Sequence, residues 1–255
     1  MAQIVSKSKL AEGISLLLLK TPEMSRKTRP GQYVFIKRDE HSPPVPLLVA
    51  EKDKKGISVI VDTNTPPGEI LGDLKKGQEV TSVLGPLGKP VRVGDFGNVC
   101  IVADAIGVGA AMIISQALRR HENKVYLIAS FASKKQRFWD SRIKQASDKF
   151  LIATNKQDSV VNAGVSELRD LLRRKHISLV IGATQLQTLP EIAKATEMRS
   201  HAITLLLPPI GDDGIGLSSM CKFTYDNESR LACVEGPAVN GHKVDWPMLT
   251  CRRTW

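Results

Sequence analysis

Near Asn98 the hydrophobic rhythm of this chain changes, and the change places two unlike folds in series in one polypeptide. Before it, apolar runs are short, at residues 14–19, 33–36, 47–50 and 57–61. They are separated by charged clusters and by Arg29-Pro-Gly31, Ser42-Pro-Pro-Val-Pro46 and Gly85-Pro-Leu-Gly-Lys-Pro90. Proline removes a backbone donor and ends both helices and central strands, so this spacing predicts short strands joined by turns. The expected product is a small antiparallel barrel, with one short helix near residues 68–74. Beyond Asn98, apolar runs at 99–103, 125–130, 150–153, 179–181 and 203–207 alternate with helical stripes. Ala111, Ile114 and Leu118 share one face, as do Trp139, Ile143 and Ala146. Val165, Leu168 and Leu172 make a third stripe, and Leu189, Ile192, Ala193 and Thr196 a fourth. Strands alternating with helices predict a doubly wound parallel sheet, covered on both faces through right-handed crossovers. The fold class is therefore β-barrel plus α/β: a barrel over 1–96, an α/β domain over 97–208, and a short cysteine-bearing tail over 209–255.

Charge and cysteine usage narrow the function classes. The chain carries a net charge of +10, from 36 Lys and Arg against 26 Asp and Glu. The basic clusters, such as Lys54-Lys55, Arg119-Arg120 and Arg173-Arg174-Lys175, lie far apart in sequence, and aromatic residues are only 5%. Neither a basic stripe nor a stacking platform is present, which argues against specific nucleic-acid binding. Diffuse positive charge still attracts acidic proteins over long range. Four cysteines in 255 residues do not make a secreted disulfide scaffold. The six apolar residues at 14–19 are too few for a signal segment or a membrane span, so a cytoplasmic protein without a membrane anchor is expected.

The tail holds the most distinctive constellation. Asp213-Gly-Ile-Gly-Leu-Ser218-Ser-Met-Cys221 is followed by Cys233 in Ala-Cys-Val-Glu-Gly-Pro. The spacing is that of an iron–sulfur loop, but only two thiols stand where four soft donors are usual. The histidines His121, His176 and His201 have no metal-ligand spacing and read as surface or capping residues.

A barrel, a nucleotide-binding-like domain and a cysteine tail, in that order, resemble the ferredoxin–NADP reductase superfamily. Within it the chain is similar to the electron-transfer subunits that carry flavin and an iron–sulfur cluster. Examples are the subunit of dihydroorotate dehydrogenase and the small subunit of NADH-dependent reduced ferredoxin:NADP oxidoreductase. The matching stretches are Pro30-Gly-Gln-Tyr-Val34, Gly85-Pro-Leu-Gly-Lys-Pro90, Phe138-Trp139-Asp140, and Cys233-Val-Glu-Gly-Pro237 through Gly241-His-Lys-Val-Asp-Trp246. The resemblance implies FAD at the barrel, NAD(P) on the α/β domain and a 2Fe–2S cluster in the tail.

Each implied site departs from the family pattern in its polar groups. The flavin strand Arg-x-Pro-Leu-Ser/Thr appears as Pro44-Val45-Pro46-Leu47-Leu48, which keeps Pro46 and Leu47 but loses the cation and the hydroxyl. The second flavin loop is Thr63-Asn-Thr-Pro-Pro-Gly68, with Gly68 opening the expected helix. In the nucleotide turn Gly107 and Gly109 remain, but Asp104 stands where a pyrophosphate would approach; Thr154 alone survives from the later nucleotide segment at 154–160. The implied cluster ligands are Asp213, Ser218, Cys221 and Cys233, with serine in place of one thiolate. Of the three, FAD is the one cofactor the remaining scaffold could still hold; the 2Fe–2S ligand set is incomplete, and use of NAD(P) is not expected.

The best functional expectation is a ferredoxin reductase-like electron-transfer subunit of a larger flavin-dependent oxidoreductase complex. Its partners would be a larger flavoprotein or iron–sulfur catalytic subunit and an acidic carrier such as ferredoxin. The alternative is a cofactor-depleted structural or regulatory subunit that docks a catalytic partner. A charge-driven binder of nucleic acid or acidic proteins is the third reading, and the spread of the charges argues against it.

Overall fold

The computed structural model describes residues 1–155 and 162–251. Its first half contains β1 (Ala2–Ala11), β2 (Ile14–Lys20), α1 (Pro22–Lys27), β3 (Tyr33–Lys37), β4 (Val45–Lys52), β5 (Gly56–Asp62), α2 (Pro66–Leu71), β6 (Glu79–Val80) and β7 (Ser82–Leu87). The strands pair antiparallel in the order β6-β1-β2-β5-β4-β3-β7 and wrap into a nearly closed barrel. Wrapping leaves β5 buried along its whole length, which explains its unbroken Gly-Ile-Ser-Val-Ile-Val-Asp run. Strand β1, second from the end of the sheet, has no compact apolar run, because the consecutive Ser6-Lys7-Ser8-Lys9 occupy its middle on both faces, where no residue is fully buried. Helix α2 starts two residues before the expected Gly68. Pro66 and Pro67 fit a first helical turn, where a missing N–H costs nothing.

The second half follows the strand–helix alternation. It contains β8 (Asn98–Ala103), α3 (Val108–Arg119), β9 (Lys124–Phe131), α4 (Asp140–Ala146), β10 (Lys149–Thr154), α5 (Ala163–Arg174), β11 (Leu179–Ala183), α6 (Leu189–Thr196) and β12 (His201–Leu205). The sheet order β10-β9-β8-β11-β12 is parallel throughout, with Ile101 level with both Leu127 and Ile181. Trp139 does not join its expected stripe. It precedes α4 in a left-handed conformation (φ 61°), and its ring contacts Phe138 edge-on.

In the tail, β13 (Lys222–Tyr225) and β14 (Glu228–Leu231) form a hairpin, followed by α7 (Ala232–Glu235), β15 (Ala238–Asn240) and α8 (Trp246–Thr250). Strand β15 pairs antiparallel with β12, so the expected all-parallel sheet is in fact mixed. A three-residue strand is too short to show a periodicity of its own.

One apolar cluster runs without a break from barrel residues Tyr33, Leu48 and Ala50 into Ile101, Ala110 and Ile181 of the α/β unit. The two units therefore share a core. Gly109 of α3 packs closely on the barrel, where an added Cβ would lie 2.4 Å from Ala50 Cβ on β4. The tail has a separate cluster around Cys221, Phe223, Cys233 and Val239. It is fastened to the barrel by Lys89, whose amide donates to Gly236 O at 2.7 Å and whose Nζ meets Glu235 at 2.7 Å. No helix among the described residues is long and apolar enough to cross a membrane.

Candidate functional site

Shared packing leaves an apolar cleft on one side of the junction between the units. It holds about 570 Å³ and opens between β4, the turn before α2, the β8–α3 turn, the loop after β11 and residues 205–210. Pro46 and Leu47 line it, as does Gly107, so two expected flavin residues and one expected nucleotide residue share a single space. Its walls include Leu48, Ile106, Leu186 and Leu207; its polar groups are the amides and hydroxyls of Asn64, Thr65, Thr184, Gln185 and Gln187. Among the described residues, no Asp, Glu, Lys, Arg or His lines it.

The other expected cofactor residues lie outside the cleft lining. Gly68 is buried within α2, against the Asp62 carbonyl. Gly109 is spent on the contact with Ala50. Thr154 ends β10, the edge strand of its sheet, and residues 156–160 of the same expected segment fall outside the described residues.

Asp104 governs the nucleotide turn. Its carboxylate accepts the Gly107 amide at 2.9 Å and the Gln185 amide at 2.6 Å. In doubly wound folds that bind dinucleotides, the amides of the first strand–helix turn, here that of Gly107, are the donors for a phosphate. The chain's own anion already holds that amide. Burial pushes the Asp104 acid up to about 6, against the pull of the Gln185 and Gly107 amides. Gly107 is required by close approach, since a Cβ there would meet Ala183 O at 1.7 Å.

In the tail the structure brings Cys221 and Cys233 together, with their Sγ atoms 2.9 Å apart. The carboxylate beside them belongs to Asp212, and the ligand atoms of these three buried residues lie within 4.8 Å of one another. Asp213, expected in the ligand set, is turned the other way. Its oxygens accept the amides of Ile215 and Gly216, each at 2.8 Å, and of Ser218. Some desolvation opposes them, but these amides hold its acid below the usual carboxylate range. Ser218 is recruited indirectly, donating its hydroxyl to Asp212 Oδ2 at 3.0 Å. Burial pushes both thiols up, and for Cys233 the nearby Asp212 and Asp213 charges add to it.

Tyr33 was not foreseen as part of this site. It is fully buried on β3, its hydroxyl has no hydrogen-bond partner, and it lies within the electrostatic reach of Cys233, Asp212 and Cys221. Burial first, and then those three groups, push its phenol far above the ordinary range. Its signal in the sequence was a polar-tipped aromatic inside the buried run Tyr-Val-Phe-Ile, which needs a partner for its hydroxyl.

The donor set does not fit a 2Fe–2S cluster, which needs four protein ligands, usually thiolates, whereas three donors converge here among the described residues, only two of them sulfur. Of the other two cysteines, Cys100 is buried in β8 and Cys251 is exposed in the turn after α8, with its Sγ on Met248 O. The apolar walls of the cleft match the chemistry of an isoalloxazine ring, whereas they offer a diphosphate arm no cation among the described residues.

A nearly closed antiparallel barrel, a mixed α/β sheet and a cleft at their junction define the ferredoxin reductase-like class of two-domain proteins. No family model matches the chain. It is 30% identical over 255 residues to a Thermotoga maritima protein described as a homolog of the electron-transfer subunit of dihydroorotate dehydrogenase B; the alignment covers 98% of this chain and 89% of that protein. A solved structure of NADH-dependent reduced ferredoxin-NADP oxidoreductase superposes with a TM-score of 0.88 at 27% identity, covering 99% of this chain and 92% of the other. Ferredoxin-NADP+ reductase of Plasmodium falciparum shares the fold, with a TM-score of 0.62 at 12% identity over 80% of this chain and 94% of that one. The chain belongs to the family of dihydroorotate dehydrogenase electron-transfer subunits, within the ferredoxin reductase superfamily.

Proposed function

We propose that this chain is the electron-transfer subunit of a larger oxidoreductase complex and holds a flavin in the interdomain cleft. The observation that carries this reading is the cleft itself, apolar and walled by both units, in a chain whose relatives are electron-transfer subunits over nearly its whole length. A bound flavin supplies the means to exchange two-electron and one-electron steps. The protein's part is to hold and surround the ring. Pro46, Leu47 and Leu48 form one wall, Ile106 and Leu186 face it from the α/β side, and together they exclude water. Gln185 and Thr184 supply the polar groups that would orient the ring's edge. Asp104 speaks against NAD(P) on the same turn, because it already takes the Gly107 amide, a donor a pyrophosphate would use.

The partner is a larger catalytic subunit of the complex. The net charge of +10 also suits an acidic electron carrier such as ferredoxin, since opposite charge speeds encounter. Four free cysteines accord with a reducing, cytoplasmic setting.

Fluorescence titration of the purified full chain with FAD tests the reading. Saturable quenching, weakened by Leu48→Asp, is expected. A folded chain that leaves flavin fluorescence unchanged would sink the electron-transfer role and favour a subunit that only docks a catalytic partner.

A further inference from the structure

We propose that Cys221, Cys233 and Asp212 form a mononuclear site for a divalent transition-metal ion of the zinc type, where the family's fold would place a two-iron cluster. This inference does not depend on flavin binding in the cleft.

Two thiols and a carboxylate, all buried, converge within 4.8 Å, the Tyr33 phenol lies within their electrostatic reach, and no salt bridge reaches Asp212 among the described residues. Burying a carboxylate without a cation is costly, and a divalent ion removes that cost. The donor types match as well: soft sulfur with one carboxylate is a combination zinc accepts in tetrahedral geometry. Two sulfurs bound at about 2.3 Å to one tetrahedral ion stand about 3.8 Å apart. The Sγ atoms here are 2.9 Å apart, so each must turn outward by about half an ångström, within the play of a side-chain torsion.

The groups around the three donors are arranged to hold them. Asp212 Oδ1 accepts the Gly214 amide at 2.8 Å. Its Oδ2 accepts the Ser218 hydroxyl at 3.0 Å and the Cys221 amide at 3.2 Å. A carboxylate has about four lone-pair sites, so three bonds fix its orientation and leave one for a metal. The buried, unpartnered Tyr33 hydroxyl is an independent observation pointing to a missing acceptor. A metal-bound thiolate or carboxylate oxygen is such an acceptor, and partners of that kind tune ligand orientation. A water completes the tetrahedron.

The step balances without a redox partner. The ion binds two thiolates and one carboxylate, and the two thiol protons leave to solvent. The ion would staple the loop at 212–221 to α7 and so brace the tail against β3.

Titration of the reduced, metal-free full chain with Co²⁺ tests the site. Thiolate-to-cobalt charge-transfer bands should saturate at one ion per chain, release protons on binding, and disappear when Zn²⁺ displaces the cobalt. Cys221→Ser or Cys233→Ser should abolish the bands, and Cys251→Ser should leave them unchanged. Tyr33→Phe should weaken binding about 10–100-fold, the range expected on losing a hydrogen bond to a ligand. If the serine variants do not fold, a zinc-dependent rise in the wild-type melting temperature gives the second readout. Three results would overturn the proposal: a folded chain that takes up neither metal, charge-transfer bands that survive Cys221→Ser, or a 2Fe–2S spectrum after anaerobic addition of iron and sulfide.

Discussion

The carboxylate of Asp104 reaches from the end of β8 to the amide of Gln185 beyond β11, at 2.6 Å. It thereby fastens together the two turns that follow these strands. Burial raises this acid from an ordinary 3.8 to about 6, so the folded state binds its proton more readily than the unfolded chain. The sign follows: the contribution is complete below about 3.8 and is lost as pH rises through about 6. Asp104→Asn removes the titration. Relative to wild type, the variant should gain up to about 3 kcal/mol between pH 4 and pH 7. Urea midpoints measured across that range check it, and parallel pH profiles for the two proteins would refute it.

Gly109 lets α3 pack closely against Ala50 of the barrel. Gly109→Ala places a methyl 2.4 Å from Ala50 Cβ and 2.6 Å from its Cα. Overpacking of this kind costs about 1–3 kcal/mol. Because the backbone of Ala50 is also in the way, adding Ala50→Gly should restore only part of the loss. Thermal unfolding of the two single variants and the double variant measures this, and full rescue would show that the backbone contact is slack.

Flavin affinity should respond to restoring the polar groups that the β4 strand lacks. Pro44→Arg with Leu48→Thr returns a cation and a hydroxyl to the cleft mouth. The Pro44 carbonyl keeps its bond to the Gly211 amide, since that contact is made by backbone. A hydrogen bond to a charged group contributes about 1.5–3 kcal/mol, so FAD should bind about 10–100-fold more tightly. Riboflavin, which has no phosphate, should gain much less. Equal gains for the two ligands would mean that the arginine does not reach the phosphates.

Arg142 stacks 4.0 Å from the Trp139 ring centroid and pairs closely with Glu51 on β4. It bridges the two units at the surface, yet its effect should be small. Exposed ion pairs contribute about 0.2–1 kcal/mol, and cation–π contacts at such sites a similar amount. A double-mutant cycle of Arg142→Ala with Glu51→Ala should give a coupling below about 1 kcal/mol, falling further in salt. A coupling several times larger would make this pair a genuine clamp between the units.

The fold was legible in the sequence because its two halves obey different periods. The run Val-Cys-Ile-Val-Ala of β8 and the stripe Ala111, Ile114, Leu118 of α3 each carry their pattern in few residues. Strand β15 was not legible, because its partner β12 lies some 35 residues earlier and its length is too short for a pattern. The metal-like loop was half legible. Spacing singled out Cys221, Cys233 and Ser218, but with adjacent Asp212 and Asp213 it could not tell which carboxylate turns inward. Successive side chains point apart, so a one-residue shift exchanges the buried acid for the exposed one. Tyr33 stayed hidden for a different reason: its partners come from residues nearly two hundred positions away.

By lying along β12, β15 gives the tail a duty separate from its thiols. Bare strand margins offer unpaired amides and carbonyls to any other chain, and they invite self-association. Residues 238–240 cover that margin from within the same molecule. Deleting the tail would therefore expose a sticky flank as well as remove the thiols. A segment with this guarding task is held in place by the sheet as well as by the loop at 212–221.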